Sequence, residues 1–335
     1  MVRPTIGVMF CREYAPELVP DFARMVENAG LDDLWIIEDA FFNGGISAAS
    51  VALAVTERIT VGIGILPAVV RNAAYNAMDL ATMARIFPGR LEIGLGHGVA
   101  SWIKQVGAFP SSQMGALEEV TSAIRRLLRG EEVDVTGKHV QLDKVRLDYP
   151  PTPVPRVSLG VTGPKSLALS GRVADGTILV ELTGPALVRK NREIINGGMA
   201  QAGRAGEEHQ ITVFTYWSQE EDGALARQNI KPLLARRIHA EGLRDLVAAG
   251  FAEDAQSLID RGGVELLTRE MPDAWADEIA VAGTPAECLA AIERLGEAGV
   301  ERVGLVPPAD ASIDNIREWA EALAASRHKP QGTIG

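Results

Sequence analysis

The stretch whose reading decides the fold is Pro88–Gly98, PGRLEIGLGHG. A Pro-Gly pair ends one helical pattern, and Leu91, Ile93 and Leu95 then alternate with Glu92 and glycine as a short strand. Gly94, Gly96 and Gly98 close it at intervals of two, with His97 between the last pair. Glycines at the C-terminal end of a strand let a ligand approach the backbone or let the chain turn with φ > 0. The stretch therefore sets a titratable imidazole where a ligand can lie.

Outward from it, the same strand-then-helix unit recurs on both sides. Thr5–Phe10, Leu34–Ile37 and Ile59–Leu66 read as apolar strands ahead of a fourth, Leu91–Leu95. Between them lie helical patterns over Pro16–Ala29, Ala48–Glu57 (Ser47 as N-cap) and Ala74–Phe87. A helix over Leu117–Leu128 follows, with Leu117, Val120, Ile124, Leu127 and Leu128 on one face. Residues 130–155 interrupt the rhythm with a small hairpin around Thr136-Gly137 and an extended YPPTPVP run. It resumes as strand Val157–Val161, helix Ser166–Val173, strand Thr177–Leu182, helix Pro185–Ala202 and strand Ile211–Trp217. Residues 220–282 form a second insertion, dominated by a long helical stretch over Glu220–Arg269. Helix Pro285–Ala298, strand Arg302–Val306 and helix Ser312–Ala324, capped by Ser312, complete the chain. The joins AGLDDLWII (Ala29–Ile37) and AGVERVGLV (Ala298–Val306) look like one structural step repeated.

Strands that read as near-continuous apolar runs are buried on both faces, and eight of them alternating with helices specify an α/β fold. The reading is a single (β/α)8 TIM barrel over residues 1–335, with a hairpin inserted after the fourth helix and a helical insertion before the eighth strand. An open doubly wound sheet would carry Gly-x-Gly-x-x-Gly after the first strand, where this chain has CREYAP. No Walker loop, HExxH helix or Gly-x-Ser-x-Gly elbow occurs.

Apolar residues make up 47% and charged residues 23%, the mix of a soluble globular protein. A formal net charge of −11 argues against a nucleic-acid partner. Two widely spaced cysteines, Cys11 and Cys288, allow neither a disulfide framework nor a zinc-ribbon spacing. The apolar runs are too short to span a bilayer. The expectation is a cytoplasmic protein with no membrane partner and no metal.

In a barrel the reactive groups lie at the C-terminal strand ends. Here these are Cys11, Glu38-Asp39, Gly64–Pro67, Gly96–Gly98, Thr162–Ser166, Glu181–Thr183, Trp217 and Pro307-Pro308. So few charges and no metal-ligand cluster suit an organic cofactor that carries the chemistry, acting on a small-molecule substrate. GVTGPKS (Gly160–Ser166) sits between a strand and a helix, so Gly163, Lys165 and Ser166 either cradle a phosphate or form an ordinary N-cap with a solvated lysine. His97 faces a ligand or is a hydrogen-bonded wall residue. Glu38-Asp39 is a base with a neighbouring anchor, or Asp39 caps the following loop. Cys11 reads as an inert buried thiol, Trp102 and Trp217 as packing or pocket wall, and Arg125-Arg126 and Arg236-Arg237 as solvated helix faces.

Five ordered segments carry a resemblance: AGLDDLWIIED, TERITVGIGILP followed by Arg71, FPGRLEIGLGHG, GPKSLALSGRVADGTIL, and AGTPAECLAAIERLGEAGVERVGL. Together they resemble the luciferase-like monooxygenase superfamily, bacterial-luciferase-type TIM barrels that bind FMN or the deazaflavin F420. The resemblance implies a non-prolyl cis peptide near Gly64-Ile65 and a cofactor ring against Gly96, His97 and Gly98. It implies a phosphate loop on Gly163, Pro164, Lys165 and Ser166, reached through Val161 and Thr162, with Leu182 and Thr183 also near the cofactor. The implied activity is F420-dependent hydride transfer to or from a small organic substrate. FMN-dependent monooxygenation is the alternative, and a barrel without cofactor serving as a binding or structural subunit is a second. A homodimer is the implied assembly. Many deazaflavin members have Asp-His at the end of the second strand, where Asp39 is here followed by Ala40, and some carry Glu where this chain has Val99. His97, Glu38 and Asp39 are left as the catalytic candidates.

Overall fold

A computed structural model describes residues 3–327. Its strands, in chain order, are β1 (Thr5–Phe10), β2 (Asp33–Ile36), β3 (Thr60–Pro67), β4 (Leu91–Gly96), β5 (Val133–Thr136), β6 (Gln141–Val145), β7 (Val157–Gly160), β8 (Gly176–Leu179), β9 (Gln210–Gln219), β10 (Val281–Gly283) and β11 (Arg302–Val306). Eight of them, β1-β2-β3-β4-β7-β8-β9-β11, pair in parallel, and β11 returns to β1. The ring is closed, with helices around it: a (β/α)8 barrel. β5 and β6 form the expected antiparallel hairpin outside it, and β10 pairs only with the far end of β9, Val281 opposite Trp217.

Alternation along each strand decides what fills the lumen. Trp35 and Phe214 point inward and meet edge to face with ring centroids 5.0 Å apart. They fit because their neighbours lack side chains. A Cβ on Gly62 would come within 2.3 Å of Trp35, and one on Gly64 within 2.5 Å of Phe214. One layer below, Arg302 reaches Asp33 at 2.5 Å and Glu92 at 3.1 Å, while the Thr5 hydroxyl donates to Asp33 at 2.6 Å. The outward strand residues and the inner helix faces form the main core. A separate core, built on Ile230, Leu234 and Ile238, holds the helices before β10 together.

Four expectations are corrected. The second helix runs Gly45–Ala54, so Ser47 lies inside it. The Glu38 carboxylate serves that helix start instead, accepting from the Gly45 N–H at 2.8 Å. β8 ends at Leu179 rather than Leu182, which takes φ +66 in the loop beyond. The long helical stretch is broken into Gly223–Arg237, a wider-wound turn Ile238–Gly242, the short Leu243–Leu246 and Ala252–Glu270, and Gly262 and Gly263 depart from helical angles inside the last of these. Arg125 is not solvated: its guanidinium pairs with Asp175 and its side chain is 12% exposed. A short helix, Ala100–Gln105, was not expected. The Ser312 cap is present, accepting from the Asn315 N–H at 3.1 Å. Among the described residues no helix is long and apolar enough to cross a membrane.

Candidate active site

The site is built around a break in β3. Its pairing with β4 shifts register between Ile63 and Leu66, and the Gly64-Ile65 peptide is cis, as the family resemblance implies. Ile65 is thereby set against the two strands beyond. A Cβ on Gly96 would lie 2.9 Å from its side chain, and one on Gly160 would lie 2.6 Å from it. Of the two uses open to the GLGHG glycines, Gly98 (φ +68) makes the turn, and Gly96 leaves the space that the Ile65 side chain fills.

Beside Ile65 opens a cleft of about 720 Å³ at the C-terminal strand ends. It gathers Glu38, Asp39, Ile65, His97 and Gly98 from consecutive strand ends, with Phe41, Phe42 and Trp102 as aromatic walls. Trp102 is thus pocket wall, whereas Trp217 is buried against Trp319 and is packing.

The two acids are already engaged. Glu38 accepts from the Nη1 and Nη2 groups of Arg71, at 2.5 and 2.7 Å, as well as from the Gly45 N–H. With a bidentate arginine pair and a further backbone donor on its two oxygens, Glu38 ties the Arg71 loop and the helix start at Gly45 to the cleft wall. Asp39 pairs with Arg12 at 2.9 Å, and Arg12 in turn lies over the Phe42 ring, 5.3 Å from its centroid. Sequence reasoning quoted Arg71 but did not place it in the site. The available signal was physical: a carboxylate at a buried strand end needs a cation.

His97 differs. It is half-buried, its Nε2 lies 3.5 Å from the Ser166 hydroxyl, and its Nδ1 completes no well-aligned hydrogen bond although the Gln113 backbone is beside it. Burial pushes its pKa below the ordinary histidine value, so the ring is neutral at neutral pH. Ser166 links His97 to the GPKS segment. There helix Pro164–Val173 begins with extended Gly163 at its N-cap and no side-chain cap. The helices starting at Ala73, Gln113 and Gly223 are capped by Asn72, Ser112 and Asp222, whereas the helix starting at Pro185 shares the uncapped Gly-Pro start but lacks a lysine in its first turn. A Cβ on Gly163 would meet nothing within 4 Å, and among the described residues no carboxylate pairs with the exposed Lys165. Unclaimed first-turn N–H groups beside an ammonium are the donor set an anion requires.

The other candidates fall elsewhere. Leu182 is buried in the core of the inserted helices, with Gly242 against it, and Thr183 is buried beside it in the chain; neither lines the cleft. Val161 is buried and Thr162 half-buried on the way to Gly163. Desolvation pushes the Cys11 thiol up to about 12, which makes it inert. Among the described residues no group of three His, Cys, Asp or Glu side chains could hold a metal ion.

A closed parallel barrel with an aromatic-walled cleft and an uncapped helix start at its C-terminal face defines the class: a (β/α)8 barrel with an open site at its C-terminal strand ends. The luciferase-like monooxygenase family model matches residues 12–302, and the chain belongs to that family of oxidoreductases. It is 27% identical over 307 residues to 5,10-methylenetetrahydromethanopterin reductase of Methanolobus tindarius, covering 89% of this chain and 93% of the relative. It is 29% identical over 305 residues to the F420-dependent glucose-6-phosphate dehydrogenase of Kineococcus radiotolerans, covering 86% of each. The solved coenzyme F420-dependent tetrahydromethanopterin reductase of Methanopyrus kandleri superposes with a TM-score of 0.80 at 21% identity, over 97% of this chain and 98% of that one, and so shares the fold.

Proposed function

We propose that this chain is an F420-dependent oxidoreductase that moves a hydride between the deazaflavin and a small organic substrate. The carrying observation is the uncapped Gly163–Ser166 helix start joined to the cleft through Ser166 and His97. The cofactor named for the dehydrogenase relative supports the choice of F420. The residues present fit a phosphate-bearing deazaflavin: Gly163 is open to approach, among the described residues no carboxylate pairs with Lys165, and the His97 ring lines the cleft. When bound, F420 supplies a ring carbon that accepts or releases hydride.

The chain's part is positioning, exclusion of water and proton handling. Lys165, Ser166 and the first-turn N–H groups hold the phosphate, and Ile65 with Trp102 presents apolar wall. Both acids are engaged in ion pairs, Glu38 with Arg71 and Asp39 with Arg12, which also pairs with Glu13, and this reading assigns neither as the proton carrier. Among the described cleft residues, His97 is the titratable side chain outside any ion pair, and it holds or passes the proton. The reading places the enzyme in the cytoplasm, where two buried free thiols fit a reducing compartment, and takes it to be a homodimer.

The test is a fluorescence titration of the purified protein with F420 and with FMN. F420 is expected to bind, and Lys165→Ala to weaken it roughly 10- to 100-fold, as loss of a charge-assisted hydrogen bond worth about 1.5–3 kcal/mol requires. Tight FMN binding with oxygen consumption would replace this reading with monooxygenation. Failure of both cofactors to bind would leave a barrel that acts without one.

A further inference from the structure

We propose that the substrate side of the cleft takes a neutral, flat and largely apolar molecule and turns anions away, with Glu38 as a specificity-determining residue. This rests on the oxidoreductase reading above and names its substrate class. On that reading the Ser166 side of the cleft, past His97 and Gly160, belongs to the cofactor. The other side is built by Phe41, Phe42, Val70, Val99 and Val106, and all five stand exposed. Phe41 is 63% exposed, Phe42 55%, Val106 50% and Val99 46%. Apolar side chains scattered singly over a surface need no explanation, but a concavity walled with them is a site for apolar surface to enter. Three of the walls are rings, Phe41, Phe42 and Trp102, on which a flat body stacks.

Charge decides what the substrate lacks. Among the described residues lining the cleft, Arg71 is the one permanent cation, and both its Nη groups are taken up by Glu38. Arg12, which stacks on the Phe42 wall, is held by Asp39 and Glu13. Lys104, on the short helix between Val99 and Val106, lies over the Phe109 ring, 4.9 Å from its centroid. A carboxylate or phosphate entering here would leave water and meet two carboxylates with no unclaimed cation on the wall. A neutral molecule loses little by the same transfer and gains the apolar walls. Two uncharged polar groups remain to orient it, the His97 ring and the Asn43 amide, which donates to the Tyr14 carbonyl at 3.3 Å. One hydrogen-bonding atom on an otherwise apolar body, such as a ketone oxygen, matches that set. Glu38 therefore does more than tie the wall together: by holding Arg71 it removes the cation that an anionic substrate would use.

Equilibrium dialysis of the cofactor-free full chain with 2-acetonaphthone, and with 2-naphthoate as competitor, tests this. The two probes share one flat body and differ in charge. The ketone is expected to bind, and 2-naphthoate to displace it only at a concentration at least ~10-fold higher. Phe42→Ser, at an exposed side chain, is expected to weaken the ketone about tenfold, whereas Leu225→Ser, at an exposed apolar site on helix Gly223–Arg237, leaves it unchanged. Glu38→Gln keeps an acceptor for the Gly45 N–H but releases Arg71. It is expected to make 2-naphthoate a competitor at least ~10-fold better while the ketone binds as before. A purely structural role for Glu38 would weaken both probes alike. A wild type that binds no ketone overturns the proposal, as does equal competition by 2-naphthoate or an E38Q variant that discriminates as the wild type does. Ketone binding insensitive to F42S, or weakened by L225S alone, overturns it too. The F420 titration fails or succeeds separately, since no cofactor enters this measurement.

Discussion

At the scale of one residue, His209 makes this barrel less stable in acid. Its Nε2 lies 2.8 Å from the Thr177 hydroxyl, which lies 2.7 Å from that of Ser170, and Ser170 donates to the Gly176 carbonyl at 2.9 Å. Burial, helped by Arg192 and Arg204, pushes its pKa down to about 4. An unfolded histidine takes its proton near pH 6.5, so between there and pH 4 the unfolded chain binds more protons than the folded one. Stability must therefore fall as pH falls through that window, by roughly 3 kcal/mol from this side chain. Urea unfolding midpoints at pH 7, 5.5 and 4 are expected to decline in the wild type and to decline less in His209→Gln; equal slopes would remove His209 as the cause. Residue roles of this kind were only partly legible in the sequence. His97 and the GPKS segment announce themselves by position at strand ends. The engagement of Glu38 does not, because Arg71 lies 33 residues away and only the fold brings the two together.

Between elements, the decisive contact is Ile65 against the glycines of the next two strands. The Cβ that Gly160→Ala adds would sit 2.6 Å from the Ile65 Cγ2, closer than side chains approach, and the strands on either side are buried. Overpacking of that kind costs about 1–3 kcal/mol. Because Ile65 lines the cleft, its displacement is also expected to weaken cofactor binding. Ile65→Ala removes the colliding methyl, so in the double variant the cost should be smaller than the sum of the two single costs. A double-mutant cycle in denaturant reads that coupling directly, and additivity would show that the two side chains do not meet. The same contact explains why the strand glycines were readable as sites of close approach but not as to what approaches. Periodicity reports that a position must be small; it does not name the neighbour. It also fails where elements are short. β10 is three residues long, and the Gly262-Gly263 break lies within a stretch whose apolar spacing continues past it.

Across the whole molecule, the repeated joins AGLDDLWII and AGVERVGLV do more than look alike. The first acid of each ties down the start of a neighbouring strand. Asp32 accepts the Ile6 N–H of β1 at 2.8 Å, and Glu301 accepts the Ile211 N–H of β9 at 2.6 Å. At the next position the two copies differ in sign, Asp33 in one and Arg302 in the other, and they pair with each other inside the barrel while Glu92 joins from β4. The last strand is thus tied to the second and the fourth through one guanidinium. Eight strands and their order of alternation could be read from hydrophobic runs alone. This closure could not, since the charged residues that make it look like ordinary loop-to-strand polar positions. Burial pushes the Asp33 and Glu92 carboxyls up, with Arg302 opposing. Arg302→Met strands two buried carboxylates, a loss of about 3–5 kcal/mol at neutral pH. With the cation gone, both acids favour the protonated form in the fold. The unfolded chain then sheds its protons first as pH rises, and the variant must lose stability with increasing pH above the ordinary carboxylate range. That slope is opposite in sign to the one His209 imposes. Adding Asp33→Asn and Glu92→Gln to Arg302→Met removes both charges and should recover most of the loss. Unfolding midpoints of the single and triple variants at pH 5 and pH 8 check this: a single variant equally stable at both would show that the two acids are paired by something other than Arg302.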